Sequence, residues 1–278
     1  MIKIIECPRD AMQGWEHFIP TEKKINYLNT LLQVGFDTLD FGSFVSAKAI
    51  PQLADTKDVL PKLKLTNTKL LAIVANVRGA EEAAQYDEIS FVGFPFSISE
   101  TFQQRNTNSS IEQSLSSVEA IQKICLQKNK QLVIYISMGF GNPYGDEYSP
   151  EIAANWVAKM NSLGVKIVAL SDTIGVSNPE NISYLFKHLI PLYPQMEIGA
   201  HLHTTPDTWK EKIDAAYNAG CKRFDGALKG FGGCPMATDK LTGNMPTENM
   251  IQFFGQENLK LNGEKLAEAI MMADEIFV

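Results

Sequence analysis

The sequence predicts an α/β protein, a single closed (β/α)8 TIM barrel with a C-terminal helical extension. Three observations predict it. Short apolar, β-rich runs alternate with longer stretches of helical periodicity. One joint recurs, in which a helix ends on glycine and a strand starts within three residues: Gly35-Phe-Asp-Thr-Leu, Gly164-Val-Lys-Ile and Gly220-Cys-Lys-Arg-Phe. Glycine at the helix C′ position takes the left-handed backbone there, and a short loop feeds the next strand. Eight strand candidates fall between residues 2 and 227, the span of a barrel of about 250 residues. A doubly wound open sheet is the alternative. It calls for a glycine-rich phosphate turn after the first strand, and Cys7-Pro-Arg-Asp-Ala-Met-Gln13 is nothing like one.

The elements follow in order. Strands are expected at 2–6, 38–41, 70–74, 88–93, 132–136, 167–170, 197–201 and 223–227. The helix at 20–34 starts with Thr21 and Glu22 and spaces Ile25, Leu28, Leu31 and Leu32 along one face. The helix at 109–128 opens on Ser109 or Ser110 as N-cap, with Glu112 behind it. The helix at 150–163 has Ser149 ahead of Pro150, a favoured first turn. Helices at 179–190, 208–219, 247–254 and 263–277 complete the chain. No Pro/Gly/Ser-rich linker divides it, so residues 1–278 read as one barrel domain with 256–278 as the extension.

Composition narrows the functional classes. Hydrophobic residues make up 45% and charged residues 21%, which is ordinary globular usage and excludes a disordered or fibrous chain. The net charge of −7, with no long basic run, gives nucleic-acid binding nothing to rest on. No apolar stretch nears the roughly 18 residues that span a bilayer, so no membrane role is expected. Cys7, Cys125, Cys221 and Cys234 include no CxxC pair and read as reduced thiols of a cytoplasmic protein.

In a barrel of this type, polar residues just after a strand point into the active-site mouth. Those positions hold Arg9, Asp10 and Gln13, then Asp40 and Ser43, then Ser137 and Asn142, then Asp172 and Thr173, then His201 and His203, and finally Cys234 and Asn244. His201-Leu-His203 is the sharpest feature, because residues two apart on extended backbone face the same side. With Asp10 and Asn244 the two imidazoles make a ligand set of two nitrogens and two oxygens. That set suits Mg2+ or Mn2+, and zinc also accepts His and Asp. Arg9 can stabilise a developing oxyanion beside the cation. Asp40 and Asp172 either orient Arg9, hold substrate or cap helices. Gly230-Phe-Gly-Gly-Cys234-Pro235 can fold closely over a ligand and bring a thiol to it. His17 and His188 lack partners at useful spacing.

Several segments together resemble the 3-hydroxy-3-methylglutaryl-CoA lyase family. They are Pro8-Arg9-Asp10 with Gln13, Ile19-Pro-Thr-Glu-Lys-Lys-Ile, Ser43-Phe-Val-Ser, Pro51-Gln-Leu-Ala-Asp55, Ser171-Asp-Thr-Ile-Gly175, His201-x-His203, Gly230-x-Gly-Gly-Cys-Pro235 and Gly243-Asn244-x-x-Thr-Glu248. The resemblance implies a divalent-metal barrel enzyme that splits a 3-hydroxy-3-methylglutaryl thioester, an acyl-CoA, into acetoacetate and acetyl-CoA. It implies that Asp10, His201, His203 and Asn244 hold the metal and that Arg9 sits by the thioester carbonyl. Cys234 is then the acid/base of a mobile loop, with Glu248, Asp172 and Asp40 in support. Homo-oligomerisation through the C-terminal helices is left open. Four places depart from the family's usual pattern: Ala11-Met12 with Gly14-Trp15, the shorter Asp40 in place of glutamate, Thr204-Thr205-Pro206-Asp207 after the histidines, and Met138-Gly-Phe-Gly-Asn142.

Two other readings compete with the lyase. One is a condensing synthase or aldolase of the same superfamily acting on a 2-oxo acid, against which the Cys234 loop argues. The other is a barrel that keeps its metal site as a binding module.

Overall fold

The structure is a computed structural model that describes residues 1–233 and 242–277. Its elements run β1 (Lys3–Glu6), α1 (Pro8–Gln13), α2 (Thr21–Val34), β2 (Thr38–Ser43), α3 (Thr56–Val59), β3 (Lys69–Ile73), α4 (Val77–Ala83), β4 (Ile89–Ser97), α5 (Glu100–Thr107), α6 (Ile111–Gln127), β5 (Gln131–Ser137), α7 (Pro150–Ser162), β6 (Ile167–Asp172), α8 (Pro179–Leu192), β7 (Glu197–Thr204), α9 (Trp209–Asn218), β8 (Arg223–Gly226), β9 (Gly243–Asn244), α10 (Thr247–Phe254), α11 (Gln256–Leu259) and α12 (Gly263–Ile276). Strands β1 to β8 pair in parallel, each with its sequence neighbours, and β1–β8 pairing closes the ring. The (β/α)8 barrel read from the sequence is therefore the observed fold. No helix among the described residues is long and apolar enough to cross a membrane.

Alternation along the strands sorts the side chains into two compartments. Leu70, Ala72, Leu132, Ile134, Ile136, Val168, Leu170, Ile198, Ala200, Leu202 and Phe224 face outward into the large layer shared with the helices. The opposite parity of β3, β5 and β6 places Leu71, Ile73, Val133, Tyr135, Ile167 and Ala169 together inside the barrel. On β7, β8 and β2 the same inward parity carries His201, His203, Arg223, Asp225 and Asp40. Half of the barrel interior is thus apolar and half is charged, and the charged half faces the cluster of functional candidates.

The glycines of the three recurring joints sit in the left-handed region, at φ 93° for Gly35, 80° for Gly164 and 100° for Gly220, as a C′ position demands. Ser110, not Ser109, caps α6, and its capping-box partner is Gln113 rather than Glu112. Ser149 caps α7 ahead of Pro150. Five helices went unread in the sequence: α1, α4, α5 and the single turns α3 and α11. α1 occupies what reads as the loop after the first strand, started by Pro8 in its first turn. α4 buries only Gly79, Ala80 and Ala83, and α5 is mostly polar. β4 runs on to Ser97, and β7 to Thr204, so both histidines lie within a strand rather than after one. Helix α12 lies against α2 and is tied to its end by Asn262, whose N–H donates to the Val34 carbonyl.

The outward parity of β1 also buries one carboxyl. Glu6 accepts from the Leu228 N–H at 3.0 Å and pairs with the Thr247 hydroxyl, fastening the segment after β8 to the barrel wall. Burial pushes its pKa up to about 8, more than its two hydrogen bonds pull it down. The fold therefore holds a proton on Glu6 that the unfolded chain releases near its ordinary value. Stability from this group is full below that ordinary value and is lost as pH rises through about 8. Glu6→Gln cannot ionise. Its melting temperature relative to the parent protein is expected to rise between pH 6 and pH 9, and a difference constant over that range would contradict the assignment.

Candidate metal centre and active site

Strands β1, β2, β7 and β9 deliver the site. Asp10 lies in α1, directly after β1, and His201 and His203 lie two residues apart on β7. One ligand atom from each of these three residues falls within 4.8 Å of the others. Asn244 arrives from another part of the chain, because β9 pairs antiparallel with β7 and sets Asn244 opposite His203. All four residues predicted to hold a metal are therefore brought together.

The hydrogen bonds around the imidazoles decide which edge each ring offers. His203 Nδ1 donates to the Thr173 carbonyl at 3.0 Å, and its buried Nε2 has no partner among the described residues. His201 Nδ1 faces Asp225 Oδ2 at 3.3 Å, and its Nε2 lies 3.8 Å from Asp10 Oδ2. Both rings thus present Nε2 to the same point, with Nδ1 held from behind. A buried imidazole nitrogen left without a protein partner is what a ligand position looks like. Burial, and then the charge of His201, depress the His203 pKa to about 4, so this ring is neutral near pH 7. Burial would raise the Asp10 pKa, but Arg9 foremost, then His201, His203 and a hydrogen bond with Asn244, bring it below its ordinary value. The donor set is a carboxylate, two imidazoles and a carboxamide, and it fits a divalent cation.

A second grouping of ligand-type atoms joins Cys7, His201 and Asp225. It is the poorer site. Cys7 Sγ turns to the Ile5 carbonyl, and burial, then the nearby Asp225, Asp40 and Asp10, push its pKa well above the ordinary thiol value. Neither Cys7 nor Asp225 lines the cavity.

Arg9 is clamped from three sides. Its Nε and Nη2 donate to Asp40 Oδ2 at 2.9 and 2.6 Å, and its Nη1 donates to Asp10 Oδ1 at 2.8 Å and to Gln13 Oε1 at 2.9 Å. Asp40 therefore reaches Arg9 despite being one methylene shorter than glutamate. Burial raises the Asp40 pKa to about 6 against the pull of Arg9, which leaves it ionised at neutral pH. A guanidinium has five N–H donors, and these four bonds leave one on Nη2 for a ligand.

A cavity of about 510 Å³ opens above these groups. Arg9, Asp10, His201 and His203 line it with Tyr135, Ser137, Ser171 and Thr173, as do Arg105, Asn106, Thr107 and Asn108 from the end of α5. Gly232 closes the site from the side of β8. A Cβ there would sit 2.7 Å from the Asp10 carbonyl oxygen and 2.8 Å from Asn244 Nδ2, at φ +92°. Only glycine allows the chain so near two of the candidate ligands.

Other candidates lie elsewhere. Asp172, at the end of β6, has outward parity and is fully buried. It pairs with Lys212 Nζ at 2.7 Å and accepts from Ser177, and it does not line the cavity. Lys212 also donates to the Gly175 and His203 carbonyls, so the pair ties together the loops after β6 and β7. Glu248 accepts from the Lys229 N–H at 2.9 Å, below the glycine-rich segment, and is likewise absent from the cavity wall. Asn142 bonds to the Asp146 and Tyr144 backbone within its own loop. Cys234 lies outside the described residues. Asp225, Lys212 and Tyr135 are the residues that sequence reasoning missed. Each sits within a predicted strand or helix, where parity alone, read with the barrel in mind, could have found Asp225 and Tyr135.

The comparisons agree with this geometry. A hydroxymethylglutaryl-CoA lyase, YngG, of Bacillus subtilis (strain 168) is 31% identical over 271 residues, covering 96% of this chain and 90% of that protein. A structure of an HMG-CoA lyase from Acinetobacter baumannii, in complex with coenzyme A and 3-methylmalate, superposes with a TM-score of 0.91 at 28% identity, covering 100% of this chain and 91% of that one. The HMG-CoA lyase of Brucella melitensis gives a TM-score of 0.90 at 26% identity, covering 99% and 98%. The family model described as HMGL-like matches residues 2–271, and with Asp10, His201, His203 and Asn244 gathered at the barrel mouth, the chain belongs to the HMGL-like family.

Proposed function

We propose that this chain is a divalent-metal lyase that cleaves 3-hydroxy-3-methylglutaryl-CoA to acetoacetate and acetyl-CoA. One observation carries the reading: two imidazoles with free Nε2 edges, a carboxylate and a carboxamide meet at a cavity, beside a clamped guanidinium. The names of the relatives support the substrate, and the coenzyme A complex of the Acinetobacter baumannii enzyme supports an acyl-CoA in the cavity. Asp10, His201, His203 and Asn244 would hold the cation, for which two oxygen and two imidazole donors with no thiolate favour Mg2+ or Mn2+, zinc being the alternative. Bound there, it would make the substrate's tertiary alcohol more acidic.

The reaction breaks the bond between C2 and C3 of the acyl group. The hydroxyl proton leaves, the C3 oxygen becomes the keto oxygen of acetoacetate, and the bonding pair stays on C2 as the enolate of acetyl-CoA. Arg9, fixed by Asp40, offers its remaining N–H to the thioester oxygen as negative charge develops there. Cys234 takes the role of the acid that protonates C2. Asp172 and Glu248 act in support, through Lys212 and Lys229. We place the enzyme in the cytoplasm, where Cys7, Cys125 and Cys221, buried and free, stay reduced.

The test is to incubate the protein with 3-hydroxy-3-methylglutaryl-CoA and Mg2+ or Mn2+, with and without EDTA. Acetoacetate should form and the chelator should abolish it. No cleavage with added metal would overturn the reading. Release of free CoA from acetyl-CoA and pyruvate would instead point to a condensing enzyme.

A further inference from the structure

The charged half of the barrel interior forms a column that begins far from the cavity. Lys3 pairs with Glu197, and Arg223 Nη1 donates to Glu197 Oε1 at 3.0 Å. Arg223 Nε lies 3.8 Å from Asp225 Oδ1, and Asp225 Oδ2 lies 3.3 Å from His201 Nδ1. Charges alternate along this path up to the imidazole. Room for it is built in. A Cβ on Gly199 of β7 would stand 2.7 Å from Arg223 Cδ, so the bare backbone of one strand seats the arginine of the next.

We propose that Asp225 is a positioning residue for His201, holding its proton on Nδ1 so that Nε2 is free for a metal, and that Arg223 holds Asp225 in place. The inference rests on the metal-site reading above. Asp225 and Arg223 are both almost wholly buried, and neither lines the cavity. A carboxylate in such a place costs far too much free energy to stand alone, and a buried cation beside it is the usual remedy. A carboxylate behind a ligating imidazole fixes both the tautomer and the plane of the ring. His203 gets the same service from the Thr173 carbonyl, which no substitution of a side chain removes. The Asp225–Arg223 arm is therefore the one that mutation can probe.

Mn2+ binding to the full-length protein is the first measurement, by calorimetry or by the EPR signal of free Mn2+. Asp225→Asn is expected to raise the Mn2+ dissociation constant about 10–100-fold, and Arg223→Lys is expected to raise it less. The second measurement is the 15N spectrum of the metal-free histidines at pH 9. His201 in the parent should be the Nδ1–H tautomer, and Asp225→Asn should give a mixture, while His203 stays unchanged. Parental Mn2+ affinity and an unchanged His201 tautomer in Asp225→Asn would overturn the proposal. Should that variant not fold, Arg223→Lys decides by the same two readouts. If the parent itself binds no Mn2+, the metal-site reading fails, and the tautomer still decides the role of Asp225.

Discussion

Methionine in place of Arg9 is expected to lower kcat for cleavage of 3-hydroxy-3-methylglutaryl-CoA by about 10²–10³-fold, the usual loss when a donor to a developing oxyanion is removed. KM should change far less, because the free Nη2 donor matters most when charge has moved onto the thioester oxygen. Methionine keeps much of the arginine's volume, so the cavity wall survives. Asp40 does not keep its partner. Arg9 pulls the Asp40 pKa down against burial, and without it that pKa rises further. The folded-state value then lies further above the ordinary one. The variant should thus lose more stability than the parent does between pH 5 and pH 8. Steady-state kinetics and melting curves at both pH values check the two halves. A kcat within tenfold of the parent would remove Arg9 from the chemistry.

His203→Ala is expected to weaken Mn2+ binding by more than the roughly 100-fold that marks the upper range for losing a supporting partner. Activity should fall to the level seen with chelator. His203 is the better of the two histidines for this test. Its Nε2 has no other partner among the described residues, and its low pKa means that no proton competes for it near neutral pH. Calorimetric titration with Mn2+, alongside an activity assay at saturating metal, measures both effects. Parental affinity in a folded His203→Ala protein would end the case for this ligand set.

The barrel was legible because its punctuation is local. Gly35, Gly164 and Gly220 mark helix ends, and Ser110 and Ser149 mark helix starts, by chemistry confined to a few residues. Helices α4 and α5 were missed for the converse reason. α4 packs through Gly79, Ala80 and Ala83, and a Cβ on Gly79 would meet the Phe44 carbonyl oxygen at 2.8 Å. Close approach by small residues leaves no stripe of large apolar side chains to read. Asn76 and Ser99, which cap these two helices, were the available signals.

The site divides in the same way. Arg9-Asp10 and His201-x-His203 declare themselves because each set is contiguous and borders a strand. The reach of Asp40 to Arg9 depends on how far β1 and β2 are offset across the barrel, and no run of residues in one segment encodes that distance. Asp225 and Tyr135 look like ordinary strand residues until the ring closes and inward parity becomes an address. Asp172 lies at a strand end, as a residue of the mouth would, while its outward parity turns it to Lys212 and Ser177 instead of the cavity.

The pairing of His203 with Asn244 has a consequence for anyone who would rebuild this protein. Two-stranded backbone bonding, not the stretch between them, sets the spacing of those two side chains. Gly243 and Asn244 must therefore travel with β7 in any graft, and β8 and Gly232, which lie between them in the chain, must keep their places against β1 and Asp10. A chimera that cuts between β7 and β9 would carry every side chain of the cage and still lack its shape.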